Sequence, residues 1–241
     1  MSYLKKEVNR LVGKCMHRFG LLEHGDRVLV AVSGGADSLL ALHFLREWQK
    51  KAPITFHILP VYLDMGFDSS IKDVLKPYFS KEGLSYHIED TNYGLLAHSD
   101  FNRKKSPCFL CSMLRRKRLF ELTHSLGCNK LCLGHNADDI IETFFLNLLY
   151  SGELSTMVPR QVMFKGLITI IRPLGLVYKR DVTALAHELG LPVMKNPCPS
   201  AEKTKRREVS GLLRQIYEVH PDARGIIMRA LSNVRLEYLL S

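Results

Sequence analysis

Arg27-Val28-Leu29-Val30-Ala31-Val32-Ser33-Gly34-Gly35-Ala36-Asp37-Ser38-Leu39-Leu40-Ala41-Leu42-His43-Phe44-Leu45 carries two periodicities in succession. Val28 to Val32 is a short, β-branched apolar run of the kind that forms a buried strand. Leu39, Leu40, Leu42, Phe44 and Leu45 keep the spacing of an amphipathic helix. Ser33 to Ser38 is therefore a strand-to-helix turn. Gly34 and Gly35 let its backbone reach positive φ and come close to a ligand. Free N–H groups at the helix start, with the hydroxyls of Ser33 and Ser38, form a cradle for phosphate. The turn lacks the longer glycine loop and Lys-Ser or Lys-Thr ending of a Walker P-loop. Asp37 stands there instead, and an acid beside phosphate calls for a cation between them, so Mg²⁺ is expected. The plainer reading is a capped helix start with Ser33 or Asp37 as N-cap.

Outward from this turn the chain alternates strands and helices. Strands are expected at 54–63, 84–89, 130–133 and 167–171, and helices at 69–82, 112–126, 140–149 and 181–189. This order predicts an α/β fold, a parallel sheet covered by helices on both faces. Residues 92–107 read as a long loop and 151–165 as a connection with little pattern. Ligands of such sheets bind beyond the carboxyl ends of the strands. The Ser33–Ser38 turn, Asp64, the run Gly134-His135-Asn136-Ala137-Asp138-Asp139 and Arg172 all fall there. Asp64 is placed to meet a ribose or adenine, or else simply to form a turn. The expected organisation is an N-terminal amphipathic helix (1–24), a nucleotide-binding body (25–200) and a basic helical extension (201–241).

The 241 residues carry a net charge of +10, which favours a polyanionic partner, nucleic acid above all. No apolar run reaches the length of a membrane span. The first twenty residues interleave charges with apolar residues at helical spacing, unlike a signal peptide, so a cytoplasmic location is expected. Six cysteines in such a chain read as metal-binding, catalytic or core residues. Cys108 and Cys111 have a two-residue ligand spacing, and the helix start and neighbouring arginines should lower their thiol pKa values. Cys128 and Cys132 could complete a four-cysteine zinc site, but Cys132 lies in the apolar strand Leu131-Cys132-Leu133 and reads as core. With Cys198 instead, three thiolates leave a position open, which suits either a hydrolytic zinc or an iron–sulfur cluster.

The turn Ser33-Gly34-Gly35-Ala36-Asp37-Ser38 resembles the PP-loop of the ATP pyrophosphatases. Together with Cys108-x-x-Cys111, Leu114-Arg115-Arg116, Gly134-His135-Asn136, Asp138-Asp139, Arg172-Pro173-Leu174 and Pro197-Cys198, it resembles the tRNA 2-thiocytidine synthetases over nearly the whole chain. The resemblance implies ATP binding by Ser33, Gly34, Gly35, Asp37 and Ser38. It implies a [4Fe–4S] cluster on Cys108, Cys111 and Cys198, and thiolation of cytidine-32 of tRNA. Two positions depart from the family pattern. Ala36 replaces a usual Lys, and Ala201 stands where a second Cys-x-x-Cys often falls.

On this reading a cytidine oxygen attacks the α-phosphate, pyrophosphate leaves, and sulfur displaces AMP. Asp37 and Asp139 would bind Mg²⁺, and Arg172 would stabilise developing charge. Asp138 and Asp139 also suit the dipole of a helix start. His135 and Gly134 would adjoin the nucleotide. Arg115, Arg116 and the basic run Lys203 to Arg207, with Lys205, Arg206 and Arg207, would contact RNA. A sulfur donor, either a cysteine desulfurase or free sulfide, is implied, and a homodimer is expected only from the resemblance. The rivals are an adenylating enzyme of the lysidine synthetase type and a nucleotide-binding module without turnover.

Overall fold

The structure is a computed structural model that describes residues 1–102, 106–200 and 204–240. A first helix α1 (Tyr3–Arg18) precedes β1 (Arg27–Ala31) and α2 (Ala36–Lys51). Then follow β2 (His57–Asp64), α3 (Ser70–Lys81), β3 (His87–Asp90), α4 (Tyr93–His98) and α5 (Pro107–Ser125). The second half holds β4 (Lys130–Cys132), α6 (Ala137–Tyr150), β5 (Arg160–Met163), β6 (Ile168–Ile171), α7 (Lys179–Glu188), α8 (Lys205–Val219) and α9 (Ala223–Ala230). The strand order is β3-β2-β1-β4-β6-β5. The chain moves outward one way from β1 and the other way from β4. The turns after these two adjacent strands therefore diverge and leave a crevice at the carboxyl edge.

Strand periodicity sorts the core onto two faces. Val28, Val30, Cys132 and Ile171 point to the face covered by α1, α2, α3 and α7, with Val8, Val12, Leu39, Leu75, Val182 and Leu185. Leu29, Leu131, Ile168 and Ile170 point to the other, against Leu119 and Leu122 of α5. A smaller cluster of Ile141, Val209 and Leu213 joins α8 to α6.

Three differences from the sequence reading bear on the site. The sheet is mixed, because β5 runs antiparallel to β6 at the edge. Only one face of this four-residue strand is covered, too short a run to show a period. Residues 92–107 are not all loop, since they contain α4. And α5 begins at Pro107, not at Ser112. Ser106 caps it by accepting from Phe109 N at 3.3 Å, and Pro107 has the fixed φ that suits a first helical position. Cys108 and Cys111 therefore sit inside a helix. The basic run Arg103-Lys104-Lys105, Ala201 and Lys203 lie outside the described residues.

Candidate active site

The phosphate turn closes on itself. Ser33 N donates to Ser38 Oγ at 3.0 Å, the two hydroxyls lie 3.2 Å apart, and Ser38 Oγ donates to Gly35 O at 2.9 Å. Gly34 has φ +81°, and a Cβ there would stand 3.1 Å from Ile71 Cγ2. Only glycine combines that backbone with that neighbour. The turn after β4 nests against it. A Cβ on Gly134 would lie 2.7 Å from both Asp37 C and Ser38 N, so Gly134 is what lets the two backbones touch.

Asn136 ties the nest together. Its Nδ2 donates to Asp37 Oδ1 at 2.9 Å. Its Oδ1 caps α6 by accepting from Asp138 N and Asp139 N, while Asp139 Oδ2 accepts from Asn136 N at 2.9 Å. This reciprocal cap brings the carboxylates of Asp37 and Asp139 into one site. Each meets a cation from a distant element. Lys179 Nζ, at the start of α7, donates to Asp37 Oδ2. Arg206 Nη1, in the first turn of α8, donates to Asp139 Oδ1 at 3.0 Å, and its Nε is 3.8 Å from Glu142. Burial pushes the carboxyl groups of Asp139 and Glu142 up, and the Arg206 charge partly offsets this in both. Asp138 Oδ2 accepts from Lys179 N at 2.6 Å and so fastens α7 to α6.

Arg172 is 5% exposed. Its guanidinium donates to Val158 O (2.5 Å), Gln161 Oε1 (3.1 Å) and His135 Nδ1 (3.2 Å). These contacts brace His135 and the β5 edge. Burial, then the Arg172 charge, lower the His135 pKa to about 3. The imidazole is therefore neutral, accepting at Nδ1 and carrying its proton on Nε2. Burial and the Arg116 charge bring Arg172 itself down to about 10. Asp64 lies at the carboxyl end of β2 and accepts from Gly66 N at 2.8 Å. It thus forms the turn there and borders a cleft with Lys72 and Asp90.

Cys108, Cys111 and Cys198 are partly exposed, while Cys15, Cys128 and Cys132 are buried. Cys108 Sγ lies 3.9 Å from Ser200 O, two residues beyond Cys198, and the charges of Cys108 and Cys198 both act on Cys111. The expected lowering of the thiol pKa values is not met. Burial, then proximity to Cys198, push Cys108 up, and burial outweighs the helping Arg115 charge at Cys111. The segment bearing Cys198 is pinned at both ends. Met194 N donates to Gly34 O at 2.8 Å, and Ser200 Oγ lies 2.7 Å from His98 Nε2 of α4. Among the described residues no three His, Cys, Asp or Glu side chains are grouped to hold a single metal ion. The four-cysteine alternative fails on topology, because Cys132 and Cys128 belong to cores on opposite faces of the sheet.

The PP-loop domain model matches residues 3–209. The chain belongs to the PP-loop family. Its relatives include the tRNA-cytidine(32) 2-sulfurtransferases of Geobacter sulfurreducens, 37% identical over 98% of this chain and 92% of that one, and of Pelobacter propionicus, 36% identical over 98% and 89%. The likeness to the tRNA 2-thiocytidine synthetases seen in the sequence is borne out at family level. Among solved structures, a U34-tRNA thiolase from Methanococcus maripaludis with its [4Fe–4S] cluster superposes with a TM-score of 0.79 at 26% identity, over 98% of this chain and 80% of that one. An NH3-dependent NAD synthetase from Campylobacter jejuni, 15% identical with a TM-score of 0.52, covers both chains in full and shares the fold alone.

The remaining residues singled out in this PP-loop protein divide by direction. The Arg115 charge partly offsets the rise that burial causes in the Cys111 thiol. Arg116 lines a groove on another side of α5. Lys205 pairs with Glu208 at 3.1 Å and lies 5.0 Å from the Tyr150 ring centroid. Arg207 is exposed on α8. Arg206, expected as an RNA contact, turns inward onto Asp139. Nothing in its local sequence marks Lys179, whose partner Asp37 is 142 residues away. Asn136 had a signal, the Asn-x-x-Asp spacing of a capping box just after a strand.

Proposed function

We propose that this protein uses ATP to thiolate a cytidine of tRNA, giving 2-thiocytidine at position 32. One observation carries this reading. The Met194–Gly34 hydrogen bond joins the Cys198 segment to the phosphate turn, so sulfur chemistry and nucleotide chemistry share a crevice. The donor set fits a cluster. Three partly exposed cysteines, Cys108, Cys111 and Cys198, stand apart from three that are buried. A [4Fe–4S] cluster on Cys108, Cys111 and Cys198 would leave one iron open to an exogenous sulfur.

The other residues serve the adenylation. The N–H groups at the start of α2, with Gly34 and Gly35, would bind phosphate. Asp37 and Asp139 would hold Mg²⁺, which must compete with Lys179 and Arg206 for their oxygens. The cytidine oxygen attacks the α-phosphorus and the bond to pyrophosphate breaks. Sulfur then attacks the activated ring carbon, and AMP departs with the former cytidine oxygen. His135, held neutral by burial and by the Arg172 charge, would present its Nε2–H to the nucleotide or base. Arg172 is thus a positioning residue. Arg115, Arg116, Lys205 and Arg207 would meet RNA. Residues 1–24, 25–200 and 201–241 are read as N-terminal helix, PP-loop body and basic extension, the last contributing Arg206 to the site. The sulfur donor, a cysteine desulfurase or sulfide, a homodimer and a cytoplasmic location belong to the same proposal. Among the described residues no helix is long and apolar enough to cross a membrane.

The test is anaerobic reconstitution with iron and sulfide, then incubation with tRNA, ATP and sulfide. Nucleoside mass spectrometry should find 2-thiocytidine, with tRNA-dependent pyrophosphate release. Pyrophosphate without thiolation would favour the lysidine-synthetase type. Nucleotide binding without pyrophosphate would favour a module that turns nothing over.

A further inference from the structure

A groove of about 530 Å³ lies between α5 and the turn joining β5 to β6. Phe109, Met113, Arg116, Lys117 and Phe120 of α5 and Phe164 of the turn line it. We propose that it receives an unstacked nucleobase of the tRNA, a neighbour of the target nucleotide in the same loop. The proposal rests on tRNA being the substrate.

Four observations support it. Phe109, Met113, Arg116 and Phe120 follow each other at spacings of four, three and four and form one stripe of the helix. Phe109 and Phe164 remain 54% and 53% exposed around the hollow, an apolar concavity on a strongly basic chain. Phe164 and Lys165 have φ of 51° and 56°, a conformation in which bulky side chains are rare. Such strain persists where the surroundings over-determine it. Here Phe120, edge-on at 5.0 Å, braces the Phe164 ring.

The charges match RNA. Arg116 and Lys117 line the groove and Lys165 is exposed at the turn. The single carboxylate of the lining, Glu121, already pairs with Arg118 at 3.0 Å and Lys117 at 3.9 Å. A second copy of this chain would set the same cations against each other across a two-fold axis, whereas an RNA loop brings phosphates. Arg116, which lines the groove, also bears electrostatically on His135 and Arg172. Cys108, Cys111 and Arg115 occupy another stripe of the same helix, so a loop straddling α5 could place one base at the cysteines and its neighbour in the groove. Stacking on aromatic and Arg surfaces is how proteins read splayed RNA loops.

The experiment measures tRNA affinity by fluorescence anisotropy over a salt series, for wild type and for Phe164→Ala, Phe164→Trp and Met113→Ala. Phe164→Ala should weaken binding about 5- to 150-fold, the loss expected for one base stacked on one aromatic, with the salt slope unchanged because no phosphate contact is removed. Phe164→Trp should restore affinity, which a merely misfolded turn would not allow. Met113→Ala should weaken binding in the same sense without touching the turn. If wild type thiolates tRNA while both Ala variants bind it as wild type does, the groove assignment is wrong and the function stands. If wild type neither binds nor thiolates tRNA, the reading beneath the proposal fails first. If Phe164→Ala converts a dimer to a monomer in sedimentation with tRNA affinity unchanged, the groove is a self-association surface and the proposal is overturned.

Discussion

Gly134→Ala should damage this protein at the one place where two turns share space. The added Cβ would lie 2.7 Å from Asp37 C, 2.7 Å from Ser38 N and 2.8 Å from Asp37 O. All three are backbone atoms, so no rotamer change relieves the clash. Ordinary carbon contacts lie near 3.5–4.0 Å, and the turns must separate by about 1 Å. Overpacking of this kind costs about 1–3 kcal/mol. In a chain of this length each kcal/mol moves Tm by roughly 2–4 °C, so a fall of about 2–12 °C is expected by calorimetry. The Asn136–Asp37 hydrogen bond at 2.9 Å crosses the same seam and aligns the two carboxylates. A misplacement near 1 Å can cost on the order of 100-fold in rate, so tRNA-dependent pyrophosphate release should fall by about that factor, beyond the stability loss. Gly211→Ala is the control. Nothing lies within 4 Å of its Cβ position on α8, and Ala there should gain about 0.5–1 kcal/mol from helix propensity. A Gly134→Ala protein with wild-type Tm and wild-type pyrophosphate release would refute the close packing of the two turns and its role.

Ser at Cys108, Cys111 or Cys198 should abolish bound iron, measured anaerobically per protein, and with it 2-thiocytidine. Ala at Cys15 or Cys132, both fully buried, should keep iron and lower stability by about 1–2 kcal/mol. Retention of iron without Cys198 would remove the three-cysteine cluster. His135 has its folded pKa lowered to about 3, so the unfolded chain binds the extra proton between that value and about 6.5. His135 therefore contributes stability above pH 6.5 that is lost as pH falls toward 3, at up to about 1.4 kcal/mol per pH unit. Urea unfolding of His135→Asn against wild type should show a shallower acid limb, and identical limbs would mean that His135 is protonated in the fold. Replacing Lys205, Arg206 and Arg207 together by Gln should flatten the salt dependence of tRNA binding. Arg206→Gln alone should leave that slope unchanged and perturb nucleotide use, because its guanidinium faces Asp139.

Much of this was legible locally. The apolar run 28–32 and the helical spacing from Leu39 mark β1 and α2, because periodicity reports which face of an element is buried. Ser33, Gly34, Gly35 and Asp37 mark a ligand turn by residue type, since positive φ and free N–H groups are properties of the segment itself. Cys132 reads as core from its two leucine neighbours. The same local grammar held the start of α5, in Ser106-Pro107, and the α6 cap, in Asn136 and Asp139. Those cues are short, and a basic, weakly periodic stretch before α5 hid the first. The β5 strand has four residues, two of them exposed, too few for a period to stand out.

Other features belong to the tertiary structure alone. That Lys179 and Arg206 meet Asp37 and Asp139, that Arg172 holds His135, and that Cys108 and Cys111 have raised rather than lowered thiol pKa values all depend on groups far apart in the chain. Charge interaction and desolvation act through space and follow distance and burial, which sequence separation does not encode. The alternation of strands and helices determined which turns reach the carboxyl edge. The nesting of Gly134 on Asp37, and the hydrogen bond from Met194 to Gly34, decided which atoms meet there.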